Sequence, residues 1–301
     1  MKRITRITYP AFAVVILAMG TLTANGAPGD LFASINNDGN GVGFIYQYTP
    51  DGVQTTFASG LSLPRGLAFD SAGNLFVATN LCGRVCDGTI LKITPDGEQN
   101  VFATIPAFFA EGLAIDRSDN VFVMMVNQGA RLTFSKICKL TPDGRRMTFG
   151  VLTGRGVQGF DLAFDSAGNL FATDALQSTI YEFAPDGTRS VFIGPETGVS
   201  PIGLAFDLFG NLFVSTETFP FTDDTIFTFT PDGVKSTFAT GLAAPRGLVF
   251  DSAGNLFVAE IPLDTSGNIL KFAPDGTRTV FASGIGDPQG SGGPEFLAIQ
   301  P

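Results

Sequence analysis

The side chains available for chemistry in this chain are carboxylates, amides, hydroxyls and thiols, because its 301 residues include neither histidine nor tryptophan. Histidine is the commonest general base near neutral pH and the commonest transition-metal ligand. Its absence excludes a Ser-His-Asp triad and a histidine-bound zinc. The chain also lacks a G-x-S-x-G nucleophile elbow and a Walker A lysine. Oxygen ligands alone suit a hard cation such as calcium.

Polar side chains recur at two positions of a repeated unit that is described below. The first position precedes the motif Gly-Leu-Ala, and in repeat order it holds Glu295, Arg65, Glu111, Phe160, Ile202 and Arg246. The glycine after it is replaced twice, by Asp161 and by Phe296. The second position ends a strand that begins Leu-Phe or Val-Phe, and it holds Asn36, Asn80, Asn127, Asp174, Glu217 and Glu260.

These positions supply the candidate ligand-binding residues. They are Arg65, Asn80, Glu111, Asn127, Asp161, Asp174, Glu217, Arg246, Glu260 and Glu295. Two interpretations stay open. The alternation Arg246, Glu295, Arg65, Glu111 is typical of an ion-pair ladder, whereas Glu111, Asp161 and Glu295 together offer oxygen ligands for Ca²⁺, which the arginines oppose. We expect no bound cofactor unless that calcium site forms.

The bulk charge and the N-terminus restrict partners and location. The formal net charge is -10, and an acidic surface repels phosphate backbones, so we expect no nucleic-acid partner. Residues 1–27 combine a basic start, an apolar run from Ala11 to Met19 and a small-residue exit, which is the pattern of a cleaved signal peptide. The apolar run is shorter than the ~20 residues of a membrane span. We expect a secreted or periplasmic monomer with no membrane span.

Three cysteines occur, two of them close together. Cys82 and Cys86 lie in the segment CGRVC, and Cys138 lies apart from them. Because an exported protein meets an oxidising compartment, the sequence predicts a local Cys82–Cys86 disulfide and a buried Cys138 thiol.

Internal repeats organise the rest of the chain. The tripeptide Pro-Asp-Gly occurs six times at intervals of 43 to 47 residues, beginning at positions 50, 95, 142, 185, 231 and 274. Each unit contains four short apolar runs, named A to D here, separated by turn residues, and none is long enough for an amphipathic helix. Four antiparallel strands in a unit of this length predict one blade of a β-propeller.

The two ends of the chain predict how the propeller closes. The segment GDLFASI at 29–35 matches strand B, so the first unit lacks strand A. The segment PEFLAI at 294–299 matches strand A of the other units and supplies it. The sequence therefore predicts an all-β, six-bladed propeller in one domain, residues 28–301, whose first blade the C-terminal strand completes.

The strand directions place the candidate residues on one face. The connections B to C and D to A differ between units and share one face, the variable rim. The recurring turns, DSAGN and Pro-Asp-Gly, share the opposite face, the turn rim. Because recurring turns serve the fold, we expect ligand binding at the variable rim.

The unit PRGLAFDSAGNLFVAT…ILKITPDG resembles the NHL repeat and the repeat of the SMP-30/gluconolactonase/LRE-like propellers, over residues 29–299. The lactonase branch implies a divalent ion held by acidic or amide residues just before the glycine of strand A. Glu111 and Glu295 match that pattern, whereas Arg65, Ile202 and Arg246 depart from it. The lyase branch implies a catalytic histidine, which has no counterpart here.

Three functions follow as hypotheses. The first is a secreted binding or scaffold propeller whose variable rim engages a protein, glycan or small ligand without catalysis. The alternative is a calcium-type lactone or ester hydrolase similar to gluconolactonase, with Glu111, Asp161 and Glu295 as metal ligands. The third is electrostatic steering of cationic ligands by the acidic surface.

Overall fold

The computed structural model describes residues 26–37, 42–83, 85–127, 134–152, 156–195, 200–218, 223–263, 265–286 and 292–301. The predicted signal peptide lies outside these residues except for its last two positions. The described part of the chain forms 24 strands in six antiparallel four-stranded sheets. The predicted all-β, six-bladed propeller is confirmed.

Each sheet is one blade, and its strands are given from the axis outward. Blade one contains β24 (Gly292–Ile299), β1 (Leu31–Asn37), β2 (Gly43–Tyr48) and β3 (Gln54–Leu61). Blade two contains β4 (Leu67–Phe69), β5 (Leu75–Cys82), β6 (Cys86–Ile93) and β7 (Gln99–Ile105). Blade three contains β8 (Phe109–Ile115), β9 (Val121–Asn127), β10 (Phe134–Leu140) and β11 (Arg146–Leu152).

The other three blades follow the same order. Blade four contains β12 (Gly159–Phe164), β13 (Leu170–Asp174), β14 (Thr179–Phe183) and β15 (Arg189–Ile193). Blade five contains β16 (Ser200–Phe206), β17 (Leu212–Glu217), β18 (Asp224–Phe229) and β19 (Lys235–Leu242). Blade six contains β20 (Pro245–Phe250), β21 (Leu256–Glu260), β22 (Gly267–Phe272) and β23 (Arg278–Ile285).

The turn rim repeats the same short sequences because its hairpins depend on the same hydrogen bonds and the same backbone conformations. In the A-to-B turn of blade two, Asp70 Oδ1 accepts the backbone N–H groups of Ala72 and Asn74, and the Asn74 amide donates back to the Asp70 carboxylate. In each Pro-Asp-Gly turn the glycine has a positive φ, between 82° and 89°. A side chain at that glycine would strain the backbone, so the motif recurs in every blade.

Phenylalanine fills the spaces within and between blades. Strand B of every blade carries one Phe whose ring meets a Phe of strand D in the same blade at 4.9 to 5.1 Å, edge to face. In four blades the same ring also meets the Phe that ends strand A of the next blade. These contacts form a continuous apolar layer around the ring.

The chain ends meet in blade one, as predicted. β24 pairs with β1 in antiparallel register, with Leu31 opposite Ile299 and Phe32 opposite Ala298. Beyond the strands, Gly29 N–H donates to the Gln300 carbonyl at 2.9 Å, and Gln300 N–H donates to the Asp30 carbonyl at 3.0 Å. Because β24 also contacts β20 and β4, it closes the ring as well as the blade.

Within the described ranges, no helix is long and apolar enough to cross a membrane.

The closure predicts a large effect of truncation. Deleting residues 291–301 removes β24 and exposes the inner edge of β1. Because burial of one large apolar side chain contributes about 1.5–3 kcal/mol, loss of Phe296 and Leu297 alone should lower the melting temperature by more than ~10 °C. Circular dichroism melts measure this effect. Removing only the exposed Pro301 is the control, and an unchanged melt of the longer truncation would contradict the closure.

Candidate functional site

The first set of candidate residues lies on irregularities of the inner strands. In blades three to six the register between strands A and B shifts at this position, for example between Ala110 and Leu113 and between Pro245 and Leu248. Such a bulge turns two consecutive side chains away from the regular pleat. The bulged residues are Glu111 and Gly112 in blade three and Arg246 and Gly247 in blade six, so the charged side chains project at the channel mouth.

The glycine of the bulge allows neighbouring blades to approach each other. A Cβ added to Gly66 would come within 2.5 Å of the Glu111 carbonyl oxygen, and one added to Gly203 within 2.2 Å of the Arg246 carbonyl oxygen. The recurring glycine therefore serves the close approach of inner strands.

Five charged side chains form one ion-pair network across the mouth. Glu295 lies at its centre, 2.9 Å from the Arg65 guanidinium and 3.5 Å from that of Arg246. Arg65 also lies 3.8 Å from Glu111, and Arg246 lies 2.8 Å from Glu217. The Glu111 and Glu295 side chains are only 9% exposed. The alternating charges of Arg246, Glu295, Arg65 and Glu111 therefore form a continuous ion-pair ladder, as the ladder interpretation of the sequence predicts.

Two aromatic rings close the channel beneath this network. Phe160 and Phe296 come from blades four and one, which are opposite each other in a six-membered ring, and their rings stack with centroids 5.7 Å apart. The Arg246 guanidinium lies 5.4 Å from the Phe160 ring, and the Arg65 guanidinium 5.5 Å from the Phe109 ring. Opposite inner strands can make this contact only at the axis, so the channel is plugged at the variable rim.

An axial cavity remains beyond the plug. Its volume is about 330 Å³, and Phe296 and Asp161 contribute to its wall. One leucine from each blade lines it: Leu67, Leu113, Leu162, Leu204, Leu248 and Leu297. The leucine two residues after the first candidate position therefore lines the axis in all six blades.

The carboxylates of the site differ in their ionisation. Burial raises the pKa of Glu111 to about 7, because the attraction of Arg65 offsets the loss of hydration only in part and Glu295 adds negative charge. Burial also raises the pKa of Glu217, although Arg246 opposes it. Glu295 is buried too, but Arg65 and Arg246 outweigh that effect and hold its pKa below the ordinary value.

Asp161 is bound by the backbone. Its two oxygens accept the N–H groups of Leu162 at 2.8 Å and Leu204 at 2.9 Å, the second in the next blade. Burial nevertheless raises its pKa to about 7. Asp161 therefore links blades four and five.

Of the residues that end strand B, Glu217 joins the network through Arg246. The Asn80 amide clamps the next blade, donating to the Ala110 carbonyl at 2.9 Å and accepting the Ala110 N–H at 2.7 Å. Asp174 Oδ1 accepts the N–H groups of Gln158 and Gln177. Glu260 accepts the Ala243 N–H at 2.9 Å and lies 3.7 Å from Arg278.

Asn36 and Asn127 complete that set. Asn36 is buried and lies opposite Gly293 of β24. Asn127 is half-buried and lies opposite Phe134 of β10. A role for Asn36 and Asn127 at the site stays a prediction.

The cysteines are placed as the sequence predicted. Cys82 and Cys86 face each other across β5 and β6 and form a disulfide. Cys138 is a buried free thiol, and burial raises its pKa to about 11. The disulfide holds one hairpin of the variable rim.

Comparison with known proteins addresses the fold. Neither a family model nor a curated protein matches the chain. A gluconolactonase from Xanthomonas campestris is similar in structure, at 20% identity and a TM-score of 0.56 over 90% of each chain. A catalytically inactive virginiamycin B lyase from Staphylococcus aureus with quinupristin is 15% identical, at a TM-score of 0.59 over 88% of this chain and 87% of that one.

The likeness extends to other propellers. TolB from Acinetobacter baumannii gives a TM-score of 0.69 at 11% identity, over 90% of this chain and 66% of that one. The chain shares its fold with lactonase and lyase propellers. At these sequence identities the structural similarity indicates a shared fold and does not indicate a shared activity.

The donor set does not fit a calcium ion. Both oxygens of Glu295 face guanidinium groups, and both oxygens of Asp161 accept backbone N–H groups. Within the described ranges, no three or more Asp, Glu, Cys or His side chains form a group able to hold a metal.

Sequence reasoning missed the hydroxyls that support the inner strands. Ser215 Oγ accepts the Gly203 N–H at 2.8 Å and donates to the Arg246 carbonyl at 2.7 Å. Thr173 does the same between Asp161 and the Ile202 carbonyl. The available signal was a Ser or Thr at the fourth residue of strand B, in LFAS, LFAT and LFVS.

The raised pKa of Glu111 predicts that the free energy of unfolding depends on pH. The folded chain keeps this proton up to about pH 7, whereas the unfolded chain releases it near its ordinary pKa of 4.5. The contribution of Glu111 to the free energy of unfolding therefore decreases as pH rises from about 4.5 to about 7. Glu111→Gln should gain on the order of 2–3 kcal/mol relative to wild type between pH 5 and pH 8.

Denaturant melts of both proteins at each pH measure that gain. Asp186→Asn is the control, because Asp186 is an exposed turn residue. A difference between Glu111→Gln and wild type that does not change with pH would contradict the ionisation of a buried Glu111.

Proposed function

We propose that this protein is an exported, non-catalytic propeller that binds a partner at the variable rim. One observation carries the proposal: the B-to-C connections present aliphatic side chains to solvent. In four blades these connections or the strand ends beside them carry exposed Val42, Leu81, Val85, Leu176 and Leu263. Large aliphatic groups around a shared opening are typical of a binding surface rather than of a solvated loop.

The closed centre supports binding over catalysis. The guanidinium groups of Arg65 and Arg246 are engaged by carboxylates, and the Phe160–Phe296 stack seals the channel below. A substrate at this mouth would meet no histidine, since the chain has none. The network acts as a rigid floor, and the aliphatic groups around it supply contact area.

The charge of the floor favours one kind of partner. Glu217 and Glu295 face the two arginines, and Glu111 and Asp161 add negative charge above about pH 7, so a ligand that donates hydrogen bonds is favoured over a phosphate. Among a protein, a glycan and a small molecule, the aliphatic side chains favour a protein surface.

Rim variants test this proposal. Leu81→Ser, Val85→Ser, Leu176→Ser and Leu263→Ser combined should abolish capture of a specific exported protein while leaving the melting temperature unchanged, since all four residues are exposed. The matched control is Val53→Ser with Val234→Ser on the turn rim, also exposed. Equal capture by wild type and the rim variant, identified by mass spectrometry, would refute the proposal.

N-terminal sequencing of the exported protein tests the predicted cleavage of the signal peptide. Protein recovered outside the cytoplasm should begin at Pro28, the residue after the predicted signal peptide, by N-terminal sequencing. An intact Met1 on that protein would contradict cleavage.

A metal-assisted lactone or ester hydrolase is the second candidate. It is favoured by the fold shared with a gluconolactonase and by Glu111 Oε2, which is buried without a hydrogen-bond donor. Its ligands would be Glu111, Asp161 and Glu295, and the arginines argue against it.

Metal analysis separates the two candidates. We expect purified protein to contain less than stoichiometric calcium, chelator to leave the melting temperature unchanged, and gluconolactone hydrolysis to match the buffer rate. Stoichiometric calcium together with lactone turnover that Glu111→Gln abolishes would establish the hydrolase instead.

A further inference from the structure

One A-to-B turn carries two large apolar residues where the turns of blades two, three, four and six carry small or polar ones, including DRSDN at 116–120 in blade three. The A-to-B turn reads DSAGN in blades two, four and six, but DLFGN at 207–211 in blade five. Its backbone is held in the usual way: Asp207 Oδ1 accepts the N–H groups of Phe209 and Asn211. The turn itself requires neither Leu208 nor Phe209.

These two side chains point into solvent. Leu208 is 80% exposed and Phe209 is 87% exposed, the two highest values among the exposed large apolar side chains of the described residues. Within that part of the chain, Phe209 is also the only aromatic residue in this group. Each forgoes about 1.5–3 kcal/mol of burial, a cost that a binding partner would recover.

An apolar groove adjoins the two residues. A cavity of about 310 Å³ lies between blades five and six, with Phe213, Phe238, Phe250 and Phe272 among its lining residues. These rings already pack on one another, for example Phe213 with Phe238 at 5.0 Å. The groove can therefore accept a foreign side chain without rearrangement of its floor.

The surroundings of the groove are acidic. Asp207 is its only charged lining residue. The neighbouring turns add Asp232, Asp251 and Asp275. Lys235 and Arg278 follow two of these turns, but Lys235 lies over the Phe227 ring and Arg278 lies beside Glu260. Hydrogen bonds from Thr277 hold the pKa of Asp275 below its ordinary value, so it is charged at neutral pH.

The two turns of each blade are in contact, which brings these charges together. Pro231 of blade five lies beside Gly210, and Pro274 of blade six beside Gly254, both at 3.6 Å from the position of an added Cβ. Asp232 and Asp275 directly follow these prolines. Asp207 thus lines the groove, and Asp232, Asp251 and Asp275 lie in the turns beside it.

We propose that this groove docks a basic segment of a partner protein, with an apolar side chain in the groove and flanking Lys or Arg facing the four aspartates. A second copy of the chain would bring two acidic surfaces together, and an anionic membrane would be repelled. The proposal concerns the turn rim and does not depend on the function proposed for the variable rim.

A peptide titration tests the docking site. The probe is a fluorescein-labelled peptide KKGFLGKK, and its counterparts are EEGFLGEE and KKGAAGKK. Leu208→Ser with Phe209→Ala restores the DSAGN turn, so this variant should fold as wild type does. We expect it to bind the probe at least about tenfold more weakly than wild type, by fluorescence anisotropy. Both counterparts should bind wild type equally weakly.

Charge and position are tested separately. Asp232→Asn with Asp275→Asn should weaken binding several-fold, and raising salt from about 50 to about 500 mM should weaken it further. Val53→Ser removes an exposed apolar group from the same rim and should have no effect. Equal probe binding by wild type and the Leu208/Phe209 variant, or no probe binding by wild type, would overturn the proposal.

Other occupants give different results. Light scattering that shows a wild-type dimer and a monomeric Leu208/Phe209 variant would assign the groove to a second copy and overturn the proposal. Co-sedimentation of wild type, but not of the variant, with phosphatidylcholine vesicles would assign it to a lipid surface and likewise overturn it.

Discussion

The close approach of six inner strands around one axis governs the architecture of this protein. Where the inner strands come together, the backbone of one blade lies so near the next that at Gly66 and Gly203 a Cβ would collide with a carbonyl oxygen. The approach also sets which residues can stand beside that glycine. A side chain at the preceding position has no space within the blade and extends over the channel mouth, where it meets side chains from other blades.

The two exceptions to the glycine illustrate the constraint. Asp161 uses its carboxylate to bind the backbone of the next blade at Leu204, so the polar side chain replaces a direct backbone contact. Phe296 extends to the axis and stacks on Phe160 of the opposite blade. With these two residues the mouth becomes a closed floor, and Glu295 between two arginines completes it.

The two faces of the propeller differ in their regularity. The turn rim repeats the same Asp-Gly-Asn and Pro-Asp-Gly chemistry, and the departure at Leu208 and Phe209 stands out against that regularity. The variable rim has no such regularity, and its B-to-C connections carry exposed aliphatic groups. Because both rims lie outside the sheet core, one propeller can accommodate the two proposed binding surfaces.

The sequence alone determined the number of blades, the strands of each blade, the turn chemistry, the closure by the C-terminal strand and the Cys82–Cys86 pair. These features depend on local sequence signals and on periodicity, and both can be read without knowing the distances between residues in space. It also identified Glu111, Asp161, Glu217 and Glu295 as neighbours of one opening, because strand direction places them on one face.

Only the tertiary structure decided what those residues do there. Whether Glu295 meets a cation or two guanidinium groups depends on side-chain distances between blades one, two and six, which no spacing along the chain encodes. The same holds for Asn80 and Asp174, which bind backbone groups, and for the stack of Phe160 on Phe296 across the axis. Each polar side chain has several potential partners far apart in the sequence, and the packing of the blades determines which of them it contacts.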